Sequence, residues 1–203
     1  MKKLTLVAFI GLGLSVFAGE PKNNKAAESV KVDAKASTVK WHAKKVTGEH
    51  FGTINLAGGN ITLDKGLITG GNIEVEMTSI NVTDLQGEYK GKLEGHLKSD
   101  DFFSVEKNTK ATLVLKKVEA IKGSKTAENF TVTADLVIKG ISSEVTFPAI
   151  IVVKGKSVTA SADFNIDRTK YDIKYGSKSF FEGIGDKAID NDFNIKVRVV
   201  AGK

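Results

Sequence analysis

From Thr38 to Val199 the chain repeats apolar and polar residues with a period of two, and this restricts its fold more tightly than any motif does. Val39, Trp41 and Ala43 alternate with Thr38, Lys40 and His42, and Ile73, Val75 and Met77 with Glu74, Glu76 and Thr78. The same holds for Phe130, Val132, Ala134, Leu136 and Ile138 against Thr131, Thr133, Asp135 and Lys139, and for Phe193, Ile195, Val197 and Val199 against Asn194, Lys196 and Arg198. Successive side chains of a strand point to opposite faces, so each run is a strand with one dry and one wet side. Breaks at Gly58-Gly59, Gly70-Gly71, Lys122-Gly123-Ser124 and Lys154-Gly155-Lys156 fall at spacings that suit a meander of hairpins. Pro148, inside TFPAIIVV, marks an edge, bulge or turn. A meander of about eight strands loses its edges by closing on itself, so the expected fold is all-β with one short helix, an antiparallel barrel. A barrel of that size can be filled by its own side chains or can hold one small ligand, and periodicity does not choose between them.

The helix is predicted where the period changes. Leu85, Tyr89, Leu93 and Leu97 are four apart, with His96 beside them and Asp84 placed to cap the start. Gly87, Gly91 and Gly95 each weaken a helix by about 1 kcal/mol relative to Ala, so this one needs tertiary support, expected through close packing of its glycine side.

One apolar row ends in a cation. Val158, Ala160, Ala162, Phe164 and Ile166 share a face, and the next residue on that face is Arg168. A guanidinium there leans out at the strand end, pairs with a carboxylate such as Asp163 or Asp167, or meets an anionic group of a ligand.

Composition narrows the class further. Lys2 and Lys3, the apolar run Leu4 to Phe17 and the small-residue pattern Val16-Phe17-Ala18 read as a secretory signal over residues 1–18, followed by a polar leader over 19–29 and one domain over 30–203. The apolar run is short for a membrane span, and no Cys follows the cleavage point to carry a lipid anchor. Absence of Cys excludes disulfides and thiolate metal sites. The net charge of +6 falls to +4 once Lys2 and Lys3 are removed, and the lysines are interspersed with acids, which is not a nucleic-acid footprint.

Catalytic and cofactor motifs are missing. His42, His50 and His96 have no zinc spacing; Gly183-Ile-Gly185-Asp-Lys-Ala188 lacks the βαβ setting of a dinucleotide fingerprint; Asp186, Asp190 and Asp192 lack the later Glu of a calcium loop. No GxSxG occurs. No cofactor, metal or catalytic set is therefore expected. The aromatics are more informative: Phe102-Phe103 follow the helix and Phe180-Phe181 follow Tyr171 and Tyr175, all core by default or else the rim of an apolar cavity.

Six segments taken in order carry a family resemblance: Ser37-Thr38-Val39-Lys40-Trp41, Gly48-Glu49-His50-Phe51-Gly52, Met77-Thr78-Ser79-Ile80, Gly95-His96-Leu97-Lys98-Ser99-Asp100-Asp101-Phe102-Phe103, Leu136-Val137-Ile138-Lys139-Gly140 and Phe164-Asn165-Ile166-Asp167-Arg168-Thr169-Lys170-Tyr171. Together they resemble the YceI-like family across nearly the whole domain. The resemblance implies a lipocalin-like barrel with an elongated apolar tunnel, an isoprenoid or other long-chain lipid as ligand, a periplasmic or secreted location and no shared catalytic chemistry.

On that reading Trp41, Ile54, Val75, Met77, Leu113, Leu136, Phe164 and Ile195 line the tunnel by inward parity. Phe102, Phe103, Phe180 and Phe181 border its mouth or plug an end, and Arg168 with Tyr171 meets the polar head. Transient contact with a membrane and a homodimer are both compatible with it; nucleic acid is not a partner. Two other classes remain open: a stress-response or structural protein whose filled barrel binds a partner on its outer face, and a cofactor-independent enzyme using His96 or His50 with a neighbouring carboxylate.

Overall fold

The alternating runs become strands that wrap once around a common axis. A computed structural model describes residues 27–202; the signal over 1–18 and most of the leader lie outside them. The elements are β1 (Glu28–Lys31), β2 (Thr38–Lys45), β3 (Gly48–Asp64), β4 (Leu67–Val82), α1 (Gly87–Lys98), β5 (Lys110–Ala120), β6 (Phe130–Ile138), β7 (Ile141–Lys154), β8 (Ser157–Asp167) and β9 (Ile189–Ala201). Around the sheet the order is β3-β2-β9-β8-β7-β6-β5-β4, and β4 pairs back onto β3, closing an eight-stranded antiparallel barrel.

The ninth strand is an addition to the expected set. β1 starts at Glu28, inside the segment read as leader, and pairs with the far half of β3 from Glu28↔Leu63 to Lys31↔Asn60. Val32 bridges to Ala201 of β9, so β1 and β2 occupy one lane between β3 and β9. The chain leaves that lane at Asp33–Ser37 without orphaning the ladder: Asp33 Oδ1 accepts from Ala36 N at 3.0 Å, and the Ser37 hydroxyl accepts from Val200 N at 3.0 Å.

Pro148 lies inside β7, opposite Thr131 of β6. Asn129 bonds Ala149 O and Ile151 N on the β6 side, which turns the donorless nitrogen of Pro148 toward β8. There the ladder stops: β7 and β8 pair only from Ala149↔Ala162 to Lys154↔Ser157. Ile141–Pro148 and Asp163–Asp167 thus flank a seam, packed by a 3₁₀ turn over Arg168–Tyr171 and bridged by Phe147 and Phe164, whose rings stack at 4.0 Å and 6°.

The helix differs from its expected packing. It begins at Gly87, and Asp84 does not cap it; that carboxylate instead accepts from Phe51 N at 3.0 Å and meets His50 Nδ1 at 2.7 Å. No helix residue is buried, and a Cβ on Gly87, Gly91 or Gly95 would meet nothing within 4 Å, so the glycine side faces solvent rather than a neighbour. Leu97 in its last turn packs on the core, and polar ties hold α1 to β4: Glu94 accepts from Val82 N at 2.8 Å and Lys90 donates to Asn81 Oδ1 at 2.8 Å. Among the described residues no helix is long and apolar enough to cross a membrane.

Candidate functional site

The inward rows of β2 to β9 enclose a cavity of about 230 Å³. Register sets its wall: Trp41 lies opposite Ile195, and Ile195 opposite Phe164, so one belt crosses β2, β9 and β8 and continues through the Phe164–Phe147 stack to β7. Leu113 faces Leu136 across β5 and β6, and Val75 faces Ala111 across β4 and β5. Ile54 and Leu56 of β3 and Met77 of β4 complete the circuit. Trp41, Val75, Leu113, Phe164 and Ile195 are only half-buried although they point inward, because the space ahead of them is unfilled.

Trp41 is fixed in place. Its Nε1–H donates to Thr53 O at 3.3 Å, which satisfies its one polar atom, and its indole lies across Gly52, where an added Cβ would come within 2.7 Å of the ring. Gly52 is therefore the seat of the Trp41 side chain.

Polar lining is confined to Ser161, Arg168 and Asp190. Arg168 is 4% exposed and ends the β8 row facing inward. Its Nε donates to Asp190 O at 2.9 Å, Nη1 to Ile173 O at 2.8 Å and Nη2 to Ile189 O at 3.1 Å. The fork thus bolts the segment after β8 to the start of β9, and Phe102 covers its face at 6.0 Å. Burial lowers the pKa of the guanidinium, opposed by the charges of Asp167 and Asp190, yet an Arg stays protonated. Among the described residues no carboxylate pairs with it directly, and two of its five N–H groups are left beyond the three carbonyls.

All eight residues chosen by inward parity lie on the cavity wall, as do Phe102, Phe103 and Arg168. Three others do not. Tyr171 is fully buried off the cavity; burial raises the pKa of its phenol, Ser143 offsetting part of this, and the hydroxyl makes no hydrogen bond of full geometry among the described residues. Phe180 and Phe181 stand out from the wall into solvent. All three follow Asp167, where the strand gives way to a 3₁₀ turn and the two-residue period no longer fixes which way a side chain points. Conversely, Phe147 was missed. Its row with Ala149 and Ile151 was readable, but stacking on Phe164 depends on a register that sequence does not display.

The histidines each meet a carboxylate: His42–Glu49 at 2.9 Å, His50–Asp84 at 2.7 Å and His96–Asp101 at 3.2 Å. None lines the cavity. His96 sits edge-on to Phe102 and Tyr175, at 4.9 and 4.6 Å, joining the last turn of α1 to the end of the barrel. No group of three or more metal-ligating side chains occurs among the described residues.

A closed antiparallel barrel with one helix at its end and an apolar interior cavity is a binding fold of the lipocalin-like kind. Residues 30–201 match the YceI-like domain, and the chain belongs to that family. Solved structures of the same fold include BcnA of Burkholderia cenocepacia, with 19% identity, a TM-score of 0.63 and coverage of 83% of this chain and 98% of that one. A polyisoprenoid binding domain from Saccharophagus degradans implicated in plant cell wall breakdown is 12% identical, with a TM-score of 0.57 and coverage of 85% and 97%. The YCEI protein of Campylobacter jejuni is 20% identical, with a TM-score of 0.50 and coverage of 100% and 99%. No curated protein matches the chain.

Proposed function

We propose that the protein is an exported carrier, periplasmic or secreted, that holds a polyisoprenoid or other long-chain amphiphilic lipid inside its barrel without catalysing a reaction on it. The observation that carries this reading is the cavity wall: every strand from β2 to β9 contributes apolar side chains, and inward residues at mid-barrel keep open space ahead of them. Such a space favours a flexible hydrocarbon, whose transfer from water is favourable by about 25 cal/mol per Å². The chain would lie along Trp41, Ile54, Val75, Met77, Leu113, Leu136, Phe164 and Ile195. A phosphate or carboxylate head would sit at Arg168, using the two N–H groups that the backbone carbonyls leave. The polyisoprenoid binding domain of Saccharophagus degradans, which shares this fold, supports this ligand class.

An acid–base enzyme is the weaker reading, because the His50–Asp84 and His96–Asp101 pairs lie outside the enclosed space where a substrate would be held. The test is mass spectrometry of an organic extract from protein purified without detergent. A stoichiometric long-chain lipid is the expected result. An empty extract, together with no change in Trp41 fluorescence on titration with prenyl phosphates and fatty acids, would overturn the carrier reading.

A further inference from the structure

Antiparallel strands sort the connections of the barrel into two ends, and the exposed aromatics are sorted with them. The β2–β3, β4–β5, β6–β7 and β8–β9 connections share one end, which also bears α1, Phe102 and Arg168. Cross-contacts tie these pieces together: Val46 N donates to Ala188 O at 3.0 Å, Lys139 Nζ to Asp172 O at 3.2 Å, and the His96 and Tyr175 rings lie 4.6 Å apart. Phe51, Tyr89, Tyr175, Phe180 and Phe181 are between 45% and 73% exposed, and all five stand at this end. Among the described residues the opposite end exposes no aromatic, only aliphatic side chains such as Leu67 at the start of β4 and Val152 near the end of β7.

Lysines are interleaved with the rings. Lys174 Nζ lies 5.2 Å over the Phe180 ring and Lys92 Nζ 5.9 Å over Tyr89. Lys44, Lys45, Lys170, Lys178 and Lys187 are exposed at the same end and make no ion pair among the described residues. Exposed rings with ammonium groups beside them match a bilayer interface, where rings enter at head-group depth and lysines meet lipid phosphates. Exposed acids share this end, Glu182 and Asp186 beside the Phe pair among them, and Lys92 and Lys174 pair with Glu88 and Asp172, so the rings lead the contact and the unpaired lysines supplement it.

We propose that this end of the barrel docks on an anionic lipid bilayer, with Phe180 and Phe181 as its leading side chains and Lys178 as a phosphate contact, and that the cavity is loaded there. The proposal rests on the carrier reading for its purpose. The seam between β7 and β8 opens at this same end, where the wall is made by the Phe147–Phe164 stack and the Arg168–Tyr171 turn instead of a main-chain ladder. A hydrocarbon chain leaving the bilayer would have to displace side chains there, not break strands.

The test is flotation of the purified protein with vesicles of phosphatidylethanolamine and phosphatidylglycerol, against vesicles of phosphatidylcholine alone, for wild type, Phe180→Ser/Phe181→Ser and Lys178→Glu. Wild type should float with the anionic vesicles, and the double variant should lose about tenfold in binding, with Lys178→Glu intermediate and adding salt weakening all three. Neither Phe lines the cavity, so dispersed lipid added to the delipidated double variant should bind as it does to wild type, whereas the lipid that the variant carries after purification, measured on organic extract, should fall with its docking. Wild type that ignores anionic vesicles, or a double variant that floats equally well, would overturn the proposal. So would a wild-type dimer that the double variant converts to monomer, since the face would then be a self-interface. Loss of flotation on Phe180→Ser/Phe181→Ser with no lipid in either extract would leave docking standing and sink the carrier reading alone.

Discussion

Replacing Ala162 by Leu separates an open barrel from a filled one, because the two predict changes of opposite sign. Ala162 lies on the cavity wall at mid-β8, between Ala149 of β7 and Val197 of β9, which line the same space. Leu adds three carbons. In a packed core such an insertion forces neighbours off their rotamers and costs about 1–3 kcal/mol. Here the isobutyl group would enter unoccupied volume and bury its three carbons against Phe164 and Val197 at about 0.8 kcal/mol each, less about 0.5–1 kcal/mol of lost rotamer freedom. The net expectation is a gain of about 1–2 kcal/mol, which for a domain of this size raises the melting temperature by roughly 2–8 °C. The measurement has to be made on delipidated protein, since a ligand that binds only the native state adds its own stabilisation to wild type. Lipid recovered from Ala162→Leu should fall at the same time. A lower melting temperature for the delipidated variant would refute the open-cavity argument.

Four further changes test separate parts of the structure. Gly52→Ala should destabilise by about 2–3 kcal/mol, because its Cβ would overlap the Asn81 carbonyl and lie 2.7 Å from the Trp41 indole; a urea curve followed by Trp41, the single tryptophan, reads this directly. Gly91→Ala and Gly95→Ala should each stabilise by about 1 kcal/mol, since both face open space, and a melting temperature below wild type would show that the glycine side does pack. Arg168→Ala should cost on the order of 3–5 kcal/mol by leaving three carbonyls without their charged donor, and Arg168→Lys about half of that; a head-group role requires Arg168→Lys to weaken an acidic lipid several-fold more than a neutral chain of equal length in a Trp41 titration. Burial opposes ionisation of Asp84, but its bonds to His50 and Phe51 N–H outweigh this and hold the carboxyl below the usual range. A depressed carboxylate contributes stability above its unfolded value of about 3.9 that is lost as pH falls through the folded value, so thermal unfolding between about pH 5 and 2 should show a shallower acid loss for Asp84→Asn than for wild type.

The barrel was legible because alternation survives translation into structure residue by residue: parity put Trp41, Phe164 and Ile195 on one face, and register then made them neighbours. Where the period ended, legibility ended with it. Tyr171, Phe180 and Phe181 follow Asp167 into turns, and the helix signal reported apolar spacing without the depth at which α1 would ride on β4. The extra strand β1 is too short and too polar to announce itself, and it forms because β3 extends beyond β2 and leaves a half-strand unpaired.

Whether the barrel is hollow also had a signal in the chain, carried by size and not by polarity. An eight-stranded barrel is just wide enough for ordinary side chains to fill it. Inward positions here include Ala43, Ala111, Ala149, Ala160 and Ala162, spread over β2, β5, β7 and β8, and all five line the cavity. Each replaces a branched residue that a filled core would carry, and no opposing row is enlarged to compensate at Ala162, where both cross-strand partners are Ala149 and Val197. Empty apolar volume of this kind costs stability in proportion to its size, so a stable hollow barrel needs closure elsewhere. The long ladder of β3 with β4, which runs from Gly52↔Val82 to Asp64↔Leu67 through three register shifts, the Ser37 repair of the β1–β2 lane and the Arg168 clamp on β9 provide that closure while leaving the middle free. The buried cation that interrupts an apolar row thus follows from the same cause as the alanines: the interior is kept open, and the ends are held by polar bonds in place of packing.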